Sequence, residues 1–279
     1  MNHDNYDITI GHDTEVFLWS PTYQNYVSAV GLIGGSKQMP RPCDGGALQE
    51  DNIMAELNII PARTSEEFVG NTAKVFTELT KTITPLGLEY RITPSIQINP
   101  QYIDPMESTE FGCDIDYSAY TMCPNRINFE ELILNNYRTA GGHIHIGIFD
   151  TQIGMCPIYD QNKLQFRLAQ LCDVYLGLYS VLYDTDIIRQ QYYGIPGSMR
   201  FKDYGIEYRT MSNWWISSPE TQALVFDGAI KATVTLLNEL EHGEELVSKD
   251  IIKESRGAIL SKDKSSAIQL RQECIKIAA

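Results

Sequence analysis

The chain has few basic residues for its length: 22 Lys and Arg stand against 36 Asp and Glu, for a net charge of −14 over 279 residues. A protein that grips nucleic acid through its phosphates is ordinarily basic, so bulk DNA or RNA binding is disfavoured. Its six cysteines (43, 113, 123, 156, 172 and 274) never form a Cys-x-x-Cys pair. Free thiols in a reducing compartment are therefore expected, in place of a zinc site or a disulfide framework. No run is long and apolar enough to span a bilayer, and Met1-Asn2-His3-Asp4-Asn5 lacks the basic-then-apolar pattern of a secretory leader. The expectation is a cytoplasmic protein with no membrane partner. Internal repeats, low-complexity tracts and evident linkers are also missing, which favours one domain over 1–279.

What is present is a set of polar pairs at i and i+2 among apolar residues. Ala140-Gly141-Gly142-His143-Ile144-His145-Ile146-Gly147 reads as a buried strand with both imidazoles on one face and both isoleucines on the other. Gly141 and Gly142 remove side chains just before it, so a backbone or ligand can approach closely. Asp13-Thr14-Glu15 before Val16-Phe17-Leu18, Glu56-Leu57-Asn58 before Ile59-Ile60, and Glu207-Tyr208-Arg209 repeat the pattern. If these strands share a sheet, one face gathers Asp13, Glu15, Glu56, Asn58, His143, His145, Glu207 and Arg209. So many carboxylates cannot all ionise in a low dielectric without cations. Carboxylates with one or two histidines suit Mg²⁺ or Mn²⁺. Part of the net negative charge is then of the kind that bound metal neutralises.

Taken in order, the first strand covers Tyr6 to Trp19, and residues 28–50 are loop-rich. Gly34-Gly35-Ser36-Lys37 faintly suggests a phosphate loop but lacks the Gly-x-x-x-x-Gly-Lys-Ser/Thr spacing; Lys37 is a candidate for holding a nucleotide, and a plain glycine turn is the competing reading. Residues 50–60 read as one strand ended by Pro61, with Glu50 at its entrance. Thr64 and Glu67 form a capping box for a helix buried along Phe68, Thr72, Val75, Phe76, Leu79 and Ile83. Another strand is expected over 88–98, then an irregular acidic stretch over 104–128 with Glu107, Glu110, Cys113, Asp114 and Asp116. Arg138 precedes the histidine strand and is placed to clamp a phosphate or carboxylate. A long amphipathic helix is expected over 161–183. Arg189, Arg200 and Lys202 make the segment before Glu207 the most cationic near the polar strands. Ser217 with Glu220 suggests a second capping box, for a helix running to His242-Gly243. The remaining residues, 243–279, read as a charged helical surface tail beyond a core of about 6–242.

In this order the motifs resemble the phage-type carboxylate–amine ligases, the type 2 amidoligases of the glutamine synthetase and glutamate–cysteine ligase superfamily. The residues that carry the resemblance are Gly11-x-Asp13-x-Glu15, Gln49-Glu50-Asp51-Asn52 with Glu56-x-Asn58, Arg138 with Gly141-Gly142-His143-Ile144-His145, and Tyr204-Gly205-x-Glu207-Tyr208-Arg209 with Ser212-Asn213-Trp214. The resemblance implies an α+β fold: a mostly antiparallel curved sheet, a half-barrel, with helices packed on its outer face. It also implies ATP and two or three Mg²⁺ or Mn²⁺ ions, held by Asp13, Glu15, Glu56, His143 or His145, and Glu207. Asp13 stands where relatives often have Glu. Lys37, Arg200 and Arg209 would meet the nucleotide, and Arg209, Arg138 and Glu50 would serve catalysis, with Glu50 or Asp116 taking the amine's proton. The expected reaction activates a carboxylate on ATP as an acyl phosphate, which an amine then attacks to give an amide. A phage-encoded ligase would work in the host cytoplasm. Two other readings stand beside it: a metal-dependent hydrolase on the same residues without ATP, and a non-catalytic binding protein keeping the metal site.

Overall fold

The computed structural model describes residues 5–103, 115–126 and 135–277. Glu107, Glu110, Cys113 and Asp114 of the acidic stretch lie outside them.

Strand β1 (Tyr6–Ser20) is the axis of the molecule, and its fifteen residues are enough to serve two sets of neighbours. Its first part pairs antiparallel with β10 (Gly142–Asp150) on one side and, at residues 13–16, with β5 (Met54–Ile59) on the other. Its last residues pair with the short strands β2 (Asn25–Val27) and β6 (Glu89–Arg91). From β5 the sheet continues through β4 (Gly46–Asp51) to β3 (Arg41–Cys43). From β10 it continues through β12 (Gly205–Tyr208) and β11 (Ser198–Lys202) to β8 (Tyr117–Ser118). Every pairing is antiparallel and the sheet does not close. A separate ribbon joins β7 (Ser95–Gln97) to β9 (Tyr137–Thr139).

Helices cover one face only, which is the expected α+β architecture. The even-numbered side chains of β1 and β10, Ile10, Val16, Ile144, Ile146 and Ile148, point into the main core. They meet α1 (Ser65–Ile83), whose stripe Phe68, Thr72, Val75, Leu79 and Ile83 is buried at helical spacing. Burying each of the large apolar side chains contributes on the order of 2 kcal/mol. Thr64 caps α1 by accepting the Glu67 N–H at 3.1 Å. The Glu67 carboxylate takes the N–H of Arg63, one residue before the cap, at 2.8 Å. No helix among the described residues is long and apolar enough to cross a membrane.

Several expected elements differ. The strand expected over 88–98 is two short strands, because Pro94 lacks the N–H a ladder needs. The helix expected over 161–183 is α2 (Asn162–Cys172), a π-helical turn (Asp173–Gly177) and α3 (Leu178–Tyr183). The π turn swings the buried Asp173 carboxylate onto the hydroxyls of Tyr120 and Tyr208, each at 2.7 Å. Pro219 opens α4 (Pro219–His242), but its cap is Ser218 rather than Ser217: the Ser218 hydroxyl accepts the Thr221 N–H. Residues beyond 243 form α5 (Lys249–Ser261) and α6 (Lys264–Ile277) and do not lie on the surface as a tail. Ile251, Ile252, Ala258, Ile259, Ala267 and Leu270 sink into the main core.

Candidate active site

Direct partners in an antiparallel ladder lie on the same face. The register places Asp13 opposite both His143 and Asn58, Glu15 opposite Glu56, and Gly11 opposite His145. It places His145 opposite Glu207, and Glu207 opposite Arg200. The four polar pairs therefore meet on the face free of helices, with Arg209 two residues beyond Glu207.

The side chains sort into two groups. In the first, oxygen or nitrogen atoms of Asp13, His145 and Glu207 lie within 4.8 Å of one another. His145 Nε2 is 3.0 Å from Asp13 Oδ2, and His143 Nδ1 is 3.1 Å from Asp13 Oδ1. Glu207, fully buried, meets Lys202 Nζ at 2.8 Å and Arg200 at 3.4 Å, and pairs directly with Arg209. Burial pushes the Asp13 carboxyl up, but His145 and His143 outweigh it and hold the group well below the usual range. Burial drives His143 down to about 3, helped by the Arg209 guanidinium, so it is neutral. For His145 the order reverses: burial opposes its charge, but Asp13 raises it above the ordinary value. His143 Nε2 is buried without a partner among the described residues. It packs where a Cβ on residue 141 would come within 2.1 Å, so only glycine leaves room for the ring.

The second group holds Glu15, Asp51 and Glu56, again within 4.8 Å. Glu15 accepts the Gly141 N–H at 2.5 Å. Burial and then Asp51 push Glu15 up to about 8. Burial, then Asp13, Asp51 and Glu15, push Glu56 far above the usual range.

Asp51 enters this group through a turn that the sequence reading passed over. Residues 50–60 are two strands, β4 and β5, folded back at Asn52, whose φ is +56°. The hairpin sets Gln49 opposite Glu56 and Glu50 opposite Ala55. Glu50 therefore faces the other way, where its carboxylate accepts the N–H groups of Ile33 and Gly34. Arg189, outside the expected site residues, belongs beside the site. It lies on a single helical turn (Arg189–Tyr192), is buried, and donates to the carbonyls of Thr210 and Arg209. Its guanidinium and that of Arg209 both sit over the Tyr193 ring, 5.3 and 5.2 Å from its centre. The other expected residues lie on other elements. Lys37 is exposed on the loop between β2 and β3. Arg138 is buried in the small ribbon, donating to the Tyr137 carbonyl, and burial lowers it to about 10. Asp116 is buried just before the edge strand β8.

Next to His145, a cavity of about 350 Å³ is bordered by Gly11, Asn58, Pro61 and Tyr204. It shares Thr9, Gly147 and Tyr204 with a second, largely apolar cavity of about 490 Å³ walled by Phe149, Met155 and Tyr159.

Comparison with known proteins bears on this site. A search of curated protein sequences finds no match. Two solved structures resemble the chain distantly. One is described as "GmaS/ADP complex-Conformation 1": 12% identity, TM-score 0.42, covering 99% of this chain and 66% of that one. The other is described as "Crystal structure of novel glutamine synthase homolog": 13% identity, TM-score 0.37, covering 98% and 65%. The chain thus spans just under two thirds of the length of each. Residues 131–254 match the family model described as Phage phiEco32-like COOH.NH2 ligase-type 2. That span holds His143, His145, Arg189, Arg200, Glu207 and Arg209, and the model it matches is of the family that the ordered motifs resemble.

Proposed function

We propose that this protein is an ATP-dependent carboxylate–amine ligase that forms an amide through an acyl-phosphate intermediate. The observation that carries the reading is the pair of donor groups side by side on one sheet face, flanked by buried arginines.

The donor sets suit hard divalent cations. Five carboxylates and one imidazole offer oxygen-rich sites of the kind Mg²⁺ and Mn²⁺ take. The upward push on Glu15 and Glu56 has a direct meaning: these carboxyls are short of positive charge. Asp13, His145 and Glu207 would hold one ion, and Glu15, Asp51 and Glu56 another, in keeping with the two or three that the resemblance implies. Bound there, the ions would neutralise nucleotide phosphates and the site's own carboxylates.

The chain's residues supply the rest. Arg209 and Arg189 bring two fixed guanidinium groups to the side of the clusters where a transferring phosphoryl group would spread its charge. Arg189 is held by backbone carbonyls, Arg209 by the Glu207 carboxylate, and both lie over the Tyr193 ring, so little reorganisation is needed. The apolar cavity beyond His145 is of a size and lining to take a nucleotide's base.

The test is a thermal-shift titration with ATP or ADP, with and without Mg²⁺ or Mn²⁺, beside the Glu56→Gln variant. A ligand that binds only the folded state raises its Tm. The expected result is a rise that needs nucleotide and metal together and is lost in Glu56→Gln. A rise with metal alone, unchanged by nucleotide, would replace this reading with a metal-dependent hydrolase. No rise with either would replace it with a binding protein.

A further inference from the structure

We propose that Tyr204 is a positioning residue for His145, fixing the imidazole so that one nitrogen faces the Asp13/His145/Glu207 site. The inference rests on the reading of that group as a divalent-cation site.

His145 stands partly exposed on the open face, with only Gly11 opposite it on β1. An imidazole there is free to rotate unless both ring nitrogens are engaged. One is: Nε2 lies 3.0 Å from Asp13 Oδ2. The other, Nδ1, lies 2.5 Å from the Tyr204 hydroxyl. The two contacts at opposite ends of the ring define its orientation.

The tyrosine reaches His145 by an arrangement with several parts. Tyr204 lies in the turn between β11 and β12, and its carbonyl accepts the Ile148 N–H at 2.9 Å, which anchors the turn to β10. From there the ring runs back along β10 toward His145, their ring centres 6.1 Å apart. It passes over Gly147, where an added Cβ would sit 3.8 Å from Tyr204 Cδ2 and 2.5 Å from Thr9 Oγ1. The next residue, Gly205, starts β12 at φ +150°, with a would-be Cβ 2.1 Å from the Ile146 carbonyl oxygen. Glycine at 205 thus lets the tyrosine turn come down onto the histidine strand.

The chemical consequence follows from the hydroxyl's two abilities. A phenol O–H donates to an unprotonated Nδ1, and its oxygen accepts from a protonated one. When a cation takes Nε2, the ring proton resides on Nδ1 and is received by the Tyr204 oxygen. This is the supporting contact that metal-bound imidazoles ordinarily draw from a carboxylate or carbonyl, and its removal typically weakens a metal site by 10- to 100-fold.

The experiment measures Mn²⁺ binding by the electron paramagnetic resonance signal of free Mn²⁺. It uses the full chain as wild type, Tyr204→Phe, His145→Ala and the double variant, with Glu56→Gln to identify which class of site belongs to the second group. The expected result is that Tyr204→Phe weakens one class about tenfold. The Glu15/Asp51/Glu56 class should be unchanged, and the double variant should bind no more weakly than His145→Ala, because a residue acting through His145 has nothing left to act on. Wild-type affinity in Tyr204→Phe overturns the inference. So does an equal loss at both classes, which marks a general structural role, and so do additive losses in the double variant. A wild type that binds no Mn²⁺ removes the cation-site reading itself, and the inference with it.

Discussion

The two acidic groups on the sheet face are neighbours built on opposite electrostatic plans. Glu207 is surrounded by positive side chains: Lys202, Arg200 and Arg209 all reach it. Glu15, Asp51 and Glu56 face mainly one another, with Gln49 the polar neighbour of Glu56 and Arg209 the cation felt by Glu15. In the first group the chain's own cations counter Glu207. The second is left wanting a cation. Both arrangements present carboxylates at the site, but removing one carboxylate should have opposite effects on the fold.

The largest expected effect breaks the comparison in the first group. Glu207→Gln should abolish ATP turnover and destabilise the protein by about 3 kcal/mol, because three cations lose their buried partner. Product ADP and a urea titration measure the two parts; a variant as stable as wild type would show that the cations do not depend on Glu207. Glu56→Gln should also abolish turnover, yet stabilise the metal-free protein at pH 7 and leave it unchanged near pH 4. Glu56 is raised in the fold, so its carboxyl stabilises nothing extra above its unfolded pKa and costs progressively more as pH rises.

The same signs shape the pH profile. Glu15 is raised to about 8, so its contribution is full below about 4.5 and is lost as pH rises from there to 8. His12 and His143 are lowered to about 3, so their contribution is present above about 6.5 and is lost as pH falls toward 3. Metal-free protein should be most stable near pH 5–6. Saturating Mn²⁺ should remove the alkaline decline and leave the acid one; melting curves in EDTA and in Mn²⁺ check this, and an alkaline decline that persists in Mn²⁺ would count against a cation at Glu15. The smallest effect sharpens the contrast between faces. Glu50 and Asp51 are adjacent but point to opposite sides of β4. Asp51→Asn should weaken Mn²⁺ binding, whereas Glu50→Gln should keep turnover within about twofold and cost about 1 kcal/mol for the weakened contacts to Ile33 and Gly34.

The i, i+2 pairs carried most of the site because period-two alternation is a property of a strand whatever its partners. Asp13 with Glu15, His143 with His145, and Glu207 with Arg209 needed no knowledge of register. Asp51 did need it: whether it or Glu50 joins Glu56 depends on a reversal at Asn52, and the Asp51-Asn52 turn signal, a pair that tolerates positive φ, was passed over. Arg189 was noticed only as part of a cationic segment, for a different reason. Its side chain is aimed by backbone carbonyls twenty residues away, which leave no trace in local pattern. His12 shows the limit from the other side. It is a polar residue on the helix face, hydrogen-bonded to Thr72 and Thr14 and packed against Phe68 and Trp215. Alternation alone would have counted its position as apolar. Residues 243–277 carried only scattered apolar positions, and their burial depends on α2–α4 being in place.

The length of β1 also orders the events of folding. Its first half is flanked by β10, some 135 residues later in the chain, and β10 is in turn flanked by β12. A chain emerging from the ribosome can pair β1 with β5 and pack α1 early, since these contacts span only about 50 residues. It cannot complete the sheet until residue 208 is free. Closing such distant ends is slow compared with local structure. Asp13 and Glu15 therefore wait on an unpaired strand edge until β10 is made, and a chain ending between α1 and β10 holds the strands and helix that carry only half of the site.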